Sequence, residues 1–156
     1  MQGNVKLVGT LNSLLADELT AVNQYMVHAE MCENWGYDRL HEHFRKRSID
    51  EMKHAEKLIS RILFLDGRPD VSKLRPIHIG AEVAKQFAND RDLELTAVKA
   101  YNASIAQSVQ AGDNATRELL EGILVEEDRH IDGIEENLDQ IVQMGLPSFL
   151  SAQLKK

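Results

Sequence analysis

The sequence is short of cysteine, proline and long apolar runs. Its one cysteine, Cys32, cannot form a disulfide within the chain. Its apolar runs are no longer than the one formed by residues 62–65, whereas ~20 apolar residues are needed to cross a bilayer. The first residues also lack the basic-then-apolar plan of a secretion signal. These absences predict a soluble protein of a reducing cytoplasm, with no membrane partner.

Composition and charge narrow the class of protein further. Of 156 residues, 43% are hydrophobic, which is enough to bury a core in one domain spanning 1–156 without a disulfide or a structural metal. The formal net charge of −7 argues against a nucleic-acid partner and is compatible with attracting cations.

Prolines and glycines divide the chain into long segments. Residues 1–68 and 77–146 contain no proline, the strongest helix breaker. With the glycines as further boundaries, the segments are 5–34, 38–65, 82–111 and 115–144, followed by a short tail. Apolar residues recur at steps of three and four in each, as in Leu7, Leu11 and Leu14. The pattern predicts four amphipathic helices, and Pro147 is placed to open a fifth, short one.

The connections predict how the helices are arranged. Short turns near 35–37 and 112–114 imply two antiparallel helix pairs. The stretch 66–80 is long enough to run the length of a bundle and reverse its connectivity. We therefore expect an all-α protein, a four-helix bundle with one long crossover and a short C-terminal fifth helix. Gly122 and Gly133 lie inside the fourth segment, each at a cost of about 1 kcal/mol relative to alanine.

An internal repeat relates the two halves of the chain. The segment Glu18-Leu-Thr-Ala-Val22 recurs unchanged 76 residues later at 94–98, and Tyr25 recurs as Tyr101. The same offset carries the Glu-x-x-His motif at 51–54 onto 127–130. Six potential metal ligands therefore obey one symmetry: Glu18, Glu51, His54, Glu94, Glu127 and His130.

These six residues lie within the apolar stripes of their helices, where core residues belong. Glu18, for example, continues the progression from Leu11 and Leu14. A spacing of three places each Glu above its His, so that both reach one point. Four buried carboxylates repel each other and lose hydration unless cations lie among them. Two divalent ions would neutralise them, and oxygen-plus-imidazole ligands suit iron or manganese.

A single Glu, or one Glu-x-x-His motif, is usually incidental and solvent-exposed. The coincidence of all six with the buried stripes and with the repeat instead favours a dinuclear metal site. A Glu from each of two helices and a Glu-x-x-His from each of the other two is also the ligand plan of ferritin-like di-iron proteins.

The sequence resembles the bacterioferritins over essentially its whole length. The similarity includes LNSLLADELTAVNQY, NWGYDRL, SIDEMKHAEKLISRILFLDG and MGLPSFLSAQL. It implies a ferritin-like fold and a ferroxidase that oxidises Fe²⁺ with O₂ or H₂O₂ at two iron ions per subunit. In that scheme Glu18 and Glu94 are terminal ligands, Glu51 and Glu127 bridge the ions, and His54 and His130 bind one ion each.

The resemblance also implies an assembly and its partners. Bacterioferritins form a 24-subunit shell, a homo-oligomer built from twofold dimers, in which ferric mineral is stored. The tail helix would line the fourfold axes of this shell. A ferredoxin-type reductant is the partner implied for iron release.

Met52 is a second marker of the resemblance, because bacterioferritins share one haem b between two subunits through a methionine of each. Its phase supports an outward position: one residue past Glu51, it turns by about 100° from the core. The repeat breaks here, since Asp128 answers Met52. The other residues expected around the haem are Leu19, Asn23, Met26 and Ile49. Ordinary packing at a subunit interface is the alternative for an outward methionine.

Some residues depart from the family pattern or have an open role. Many relatives carry acidic or histidine groups on the inner face of the second helix, where this chain reads Arg45-Lys46-Arg47-Ser48 and keeps Asp50. An inner-surface iron site is therefore not expected, and a solvated basic face is the simpler interpretation.

Three residues are candidates for contacts around the ligands, with packing in the core as the alternative for the tyrosines: Tyr25, Asp90 and Tyr101.

Three other kinds of protein fit the sequence less well. A rubrerythrin-like oxidase or peroxidase would carry a four-cysteine iron site, which Cys32 alone cannot supply. A DNA-protecting mini-ferritin binds metal between subunits and has no need of two internal Glu-x-x-His motifs. A purely structural or haem-binding shell subunit would have lost ligands, and none of the six is missing.

Overall fold

The computed structural model describes residues 1–154, and these form five α-helices and no strand. The helices are α1 Val5–Asn34, α2 Asp38–Phe64, α3 Val83–Gln110, α4 Asn114–Met144 and α5 Leu146–Ser151. The all-α prediction is confirmed, and each long helix begins and ends within one residue of its predicted segment. Residues 155 and 156, the end of the predicted domain, lie outside the described part.

Local chemistry accounts for the helix ends. The Asn4 side chain accepts a hydrogen bond of 3.0 Å from the Leu7 amide, and Asp113 caps α4 in the same way. Gly36 and Gly112, in the two short turns, have φ of 82° and 69°, a region that favours glycine. The turns fold α2 back on α1 and α4 back on α3, as predicted.

The core consists of two apolar clusters stacked along the bundle. On α1, Leu14 belongs to one cluster and Ala21 to the other. The same alternation on α3 places Phe87 in one cluster and Tyr101 in the other. Phe149 of α5 packs on Phe87 with ring centroids 6.3 Å apart, which docks the short helix on the bundle. The layer between the two clusters is left for polar side chains.

The crossover between α2 and α3 runs along α1, held by hydrogen bonds from its backbone amides. The Arg75 amide donates to the Thr20 hydroxyl at 2.8 Å, and the His78 amide donates to the Gln24 side chain at 3.1 Å. One turn further along α1, His28 Nε2 accepts from the Gly80 amide at 2.9 Å. Within residues 1–154, no helix has the length and apolarity that spanning a bilayer requires.

Candidate metal centre

All six predicted ligands meet in the layer between the apolar clusters. Each of the four long helices supplies one Glu, and α2 and α4 each add a His one turn later. None is more than 3% exposed. They form two groups that could each hold a metal ion, Glu18 with His54 and Glu94 with His130, and both groups include Glu51 and Glu127. The arrangement therefore has two terminal and two shared carboxylates.

The closest approaches in the centre link opposite halves of the repeat. His54 Nδ1 lies 2.8 Å from Glu127 Oε1, and His130 Nδ1 lies 2.8 Å from Glu51 Oε1. Within its own group, His54 Nδ1 is 3.6 Å from Glu18 Oε2. Donor atoms bound at right angles to one ion ~2.1 Å away are about 3 Å apart. The separations therefore suit atoms that share cations.

Unpartnered polar atoms concentrate at this centre. Ten buried side-chain nitrogen and oxygen atoms of the described residues make no hydrogen bond, and seven belong to the six ligands. These seven are Glu18 Oε2, Glu51 Oε1, His54 Nδ1, Glu94 Oε2, Glu127 Oε1, Glu127 Oε2 and His130 Nδ1. The atoms in the two 2.8 Å approaches are among these seven, so the short distances are not accompanied by hydrogen-bond geometry. Buried polar atoms are normally satisfied, so this donor set fits metal ions.

The pKa values of the buried glutamates and histidines are shifted by burial and by their mutual charges. Burial and the charges of Glu18 and Glu94 raise the pKa of Glu51 well above its ordinary value. Burial and the charges of Glu94 and Glu51 do the same to the pKa of Glu127. Burial lowers the pKa of His54, but the surrounding glutamates outweigh it and the pKa is raised. The raised pKa values favour proton binding at Glu51, Glu127 and His54, and divalent ions bound there would compete with those protons.

The outer nitrogens of both histidines are bound by carboxylates that precede the bridging glutamates. His130 Nε2 donates to Asp50 Oδ2 at 3.2 Å, and His54 Nε2 is bound to Glu126. Such a carboxylate partner fixes the tautomer and leaves Nδ1 free for a metal. The sequence interpretation missed Glu126 and treated Asp50 only as a remnant of an inner-surface site. The signal was present, since the 76-residue offset carries one onto the other.

Tyr25 and Tyr101 are donors as well as core aromatics. Both are fully buried in the apolar clusters. Each hydroxyl bonds to the terminal glutamate of the opposite half, Tyr25 to Glu94 at 2.7 Å and Tyr101 to Glu18 at 2.5 Å. Burial and the adjacent glutamate raise the pKa of both tyrosines well above the ordinary value. The phenols therefore remain protonated and donate.

Asp90, the third candidate, bonds to residues outside the ligand set. Its carboxylate accepts from Gln24 Nε2 at 2.8 Å and lies 3.0 Å from His28 Nδ1. Because His28 Nε2 accepts from the Gly80 amide, the proton of that ring is on Nδ1 and points to Asp90. Asp90 thus orients the side chains that hold the crossover.

A cavity of about 660 Å³ leads to the carboxylates from the side of α1, α3 and the crossover. All four glutamates of the centre line it. Nearer the surface, Asp17, Asp92 and Arg75 line it as well. The Arg75 guanidinium donates to Asp17 at 2.9 Å across this region. The centre is therefore reached through a cavity whose outer part carries the carboxylates of Asp17 and Asp92 among apolar and neutral polar side chains.

The residues predicted around a haem lie on the outward side of α1 and α2. Met52 and Met26 are 44% and 49% exposed, which agrees with the outward phase predicted for Met52. Leu19 and Asn23 lie at helical steps of seven and three from Met26, Ile49 lies three residues before Met52, and all three are half-buried. This face offers exposed thioethers next to apolar side chains and so fits a flat apolar ligand or a second protein surface.

The chain was compared with known proteins. A family model described as ferritin-like domain matches residues 8–144. The bacterioferritin of Mycolicibacterium paratuberculosis is 39% identical over 153 residues, covering 98% of this chain and 96% of the relative. That of Streptomyces coelicolor is 37% identical over 156 residues, covering 100% and 93%. That of Rhodobacter capsulatus is 35% identical over 149 residues, covering 96% and 92%. With this similarity over nearly its full length, the chain belongs to the bacterioferritins of the ferritin-like family.

Proposed function

We propose that the protein stores iron and is a ferroxidase, with two Fe²⁺ ions as substrates at the buried centre. The ligands are Glu18, Glu51, His54, Glu94, Glu127 and His130. The observation that carries the proposal is the set of seven unpartnered donor atoms on these six residues, arranged as two groups with two shared carboxylates. The names of the relatives, all bacterioferritins, support iron as the metal.

The protein's own groups prepare the centre for this reaction. Glu51 and Glu127 can bridge two ions, while Glu18 and Glu94 each present one free oxygen to one ion. Carboxylates can change their binding mode as the charge of the metal rises, whereas the imidazoles anchor each ion. Because the pKa values of Glu51 and Glu127 are raised, iron binding competes with protons at these two carboxyls.

The electron balance sets what the oxidant must be. Two Fe²⁺ ions supply two electrons, which with two protons convert one H₂O₂ into two waters, or one O₂ into one H₂O₂. Both oxidants are small enough to use the cavity lined by α1, α3 and the crossover. The Fe³⁺ product then leaves for hydrolysis to mineral.

The test is loss of rapid Fe²⁺ oxidation in Glu51→Gln with His54→Ala. The control is Glu56→Gln, which removes an exposed carboxylate from the same helix. We expect stopped-flow absorbance of Fe³⁺ to show the fast phase only in the wild type and the control. Co²⁺ binding, which needs no oxidant, should fall in the same variant. Unchanged fast oxidation in the double variant would contradict the assignment.

We further propose that two copies of the chain share one haem b, with Met52 of each as axial ligand. The supporting observation is the exposed thioether of Met52 among Leu19, Asn23, Met26 and Ile49 on the outward face. When bound, haem supplies one-electron transfer, which suits release of stored iron by a ferredoxin-type reductant.

The proposed assembly is a 24-subunit shell built from these twofold dimers. Native mass, iron content and a visible spectrum of one purified sample test it together. A particle of 24 subunits with iron and a haem band is expected. A small particle with neither iron nor haem would contradict both storage and the shell.

A further inference from the structure

The two halves of the centre differ at the carboxylates behind the histidines. Asp50, which binds His130, also lies 3.6 Å from the Arg47 guanidinium. Glu126 binds His54, is 43% exposed, and has no Lys or Arg within 4.0 Å among the described residues. The two carboxylates are equivalent by the repeat, yet only Asp50 has a guanidinium in close contact, whereas the exposed Lys57 acts on Glu126 from a longer distance.

Packing holds Arg47 in this position. Its side chain is 18% exposed, and its guanidinium lies against Gly133 of α4. A Cβ at Gly133 would come within 3.2 Å of Arg47 Nη2, so the guanidinium has room in this position because residue 133 has no side chain. The 76-residue offset replaces Arg47 by Ile123 and Gly133 by Lys57 in the other half. Ile123 is buried and Lys57 is exposed, so the arrangement exists once.

Two physical effects follow for a cation bound by Glu94 and His130. A carboxylate behind a histidine makes the ring a stronger ligand, and Asp50 is a weaker acceptor because Arg47 draws on the same carboxylate. The guanidinium charge also repels a divalent ion in a region of low dielectric. Neither effect acts to the same degree on the ion bound by Glu18 and His54, where Glu126 lacks such a partner.

We propose that the two metal positions have unequal affinity, that the position at Glu18 and His54 fills first, and that Arg47 sets this order as a positioning residue. The inference rests on the proposed metal centre and specifies how it loads. Among the basic residues of α2, Arg47 thus acts on the centre itself.

The test is a titration of the metal-free full chain with Co²⁺, followed by visible absorption and calorimetry. The wild type should bind two ions per subunit in two steps separated by at least about tenfold in affinity. His54→Ala should remove the tighter step, and His130→Ala the weaker one. Equal steps in the wild type, or the opposite assignment, would overturn the proposal.

Variants at Arg47 test the cause. Arg47→Gln removes the charge and should tighten the second step several-fold, bringing the two steps together. Arg47→Lys keeps the charge and should restore part of the separation. Lys46→Gln is the matched control, because it removes an exposed charge from the neighbouring position and should leave both steps unchanged.

The outcomes distinguish this inference from the function on which it depends. Failure of the wild type to bind any Co²⁺ at the buried centre would contradict the metal site itself. Two bound ions whose steps do not respond to Arg47→Gln would leave the ferroxidase proposal intact and overturn the role of Arg47. Thermal unfolding of each metal-free variant shows whether it is folded. If Arg47→Gln does not fold, the Co²⁺ titration of Arg47→Lys tests the proposal instead.

Discussion

Tyr25 of α1 donates a hydrogen bond of 2.7 Å to Glu94 of α3, in the opposite half of the repeat. Tyr101 makes the reciprocal bond to Glu18. In both cases the tyrosine occupies Oε1 of the glutamate, and Oε2 has no hydrogen-bond partner. The phenols therefore leave one oxygen of each carboxylate without a partner, and this is the oxygen that the proposed metal ion would bind. The crossed pairing also ties the two halves together through the centre.

Replacing Tyr25 by Phe should weaken metal binding without emptying the core. The ring stays, but Glu94 loses a donor and its buried oxygen is left unpaired, at a cost of about 1 to 3 kcal/mol in the free energy of unfolding. Affinity for Co²⁺ at the adjacent position should fall about tenfold, as is usual when a partner of a metal ligand is removed. Calorimetry and urea unfolding measure the two effects.

Tyr37→Phe serves as the control, since Tyr37 precedes α2 at the turn and is remote from the glutamates. Tyr101→Phe should reproduce the loss at the position of Glu18. If both core variants bind Co²⁺ as the wild type does, the hydroxyls have no part in orienting the ligands.

The helices and the six residues that meet at the centre were predictable, because sequence patterns alone mark both. Proline and glycine mark the helix ends, and the 76-residue offset marks the ligands without knowledge of packing. The crossed bonds of Tyr25 and Tyr101 were not, since each tyrosine lies on the same helical face as the glutamate of its own half. Only the packing of α1 against α3 brings each one to the opposite glutamate.

Asp90 shows a second limit of the sequence interpretation. It lies one turn before Glu94, yet its partners Gln24 and His28 come from α1. Gln24 and His28 also bind backbone amides of the crossover. The sequence predicts how long the crossover is, but not the path that it takes along α1. The offset gives no help either, because it relates Asp90 to Leu14. Interactions of residues that have no equivalent in the other half, such as Asp90, are thus visible only in the structure.

The stability of the metal-free protein should fall as pH rises from about 5 to 8. The folded pKa values of Glu51 and Glu127 are raised from an ordinary 4.5, so keeping these carboxyls charged costs stability as pH exceeds 4.5. His54 and His130 have pKa values raised from 6.5, so their contribution is complete below pH 6.5 and is lost as pH rises through the folded pKa. These two effects have the same sign and together outweigh His43, whose burial lowers its pKa to about 4 and costs stability below pH 6.5.

Bound metal should reverse this dependence, because ions displace the protons and bind more tightly as pH rises. Thermal unfolding with and without Zn²⁺, at pH 5, 6, 7 and 8, gives both slopes. Glu51→Gln with Glu127→Gln should flatten the metal-free slope and abolish the stabilisation by Zn²⁺. A metal-free protein that becomes more stable over this range would contradict the charge assignment.

His28→Leu should destabilise the protein by about 3 to 5 kcal/mol, since it leaves the buried Asp90 carboxylate and the Gly80 amide without a partner. Adding Asp90→Leu should recover part of this loss by removing the unpaired carboxylate. Urea unfolding at one fixed protein concentration measures both. His41→Leu, a half-buried histidine at the start of α2, is the control for loss of an imidazole. Additive losses in the double variant would show that His28 and Asp90 do not act as a pair.

Met52→Leu should abolish haem binding while leaving the fold and the metal centre intact. Leucine has a similar volume but no sulfur donor, and Met52 is exposed whereas the adjacent Glu51, about 100° away around α2, is buried. Met26→Leu is the matched control, because Met26 is an equally exposed methionine of the same face and should lose at most part of the haem. The measurement is haem per subunit from the visible spectrum after reconstitution. A full complement in Met52→Leu with loss in Met26→Leu would transfer the ligand role to Met26, and full complements in both would exclude a thioether ligand from this face.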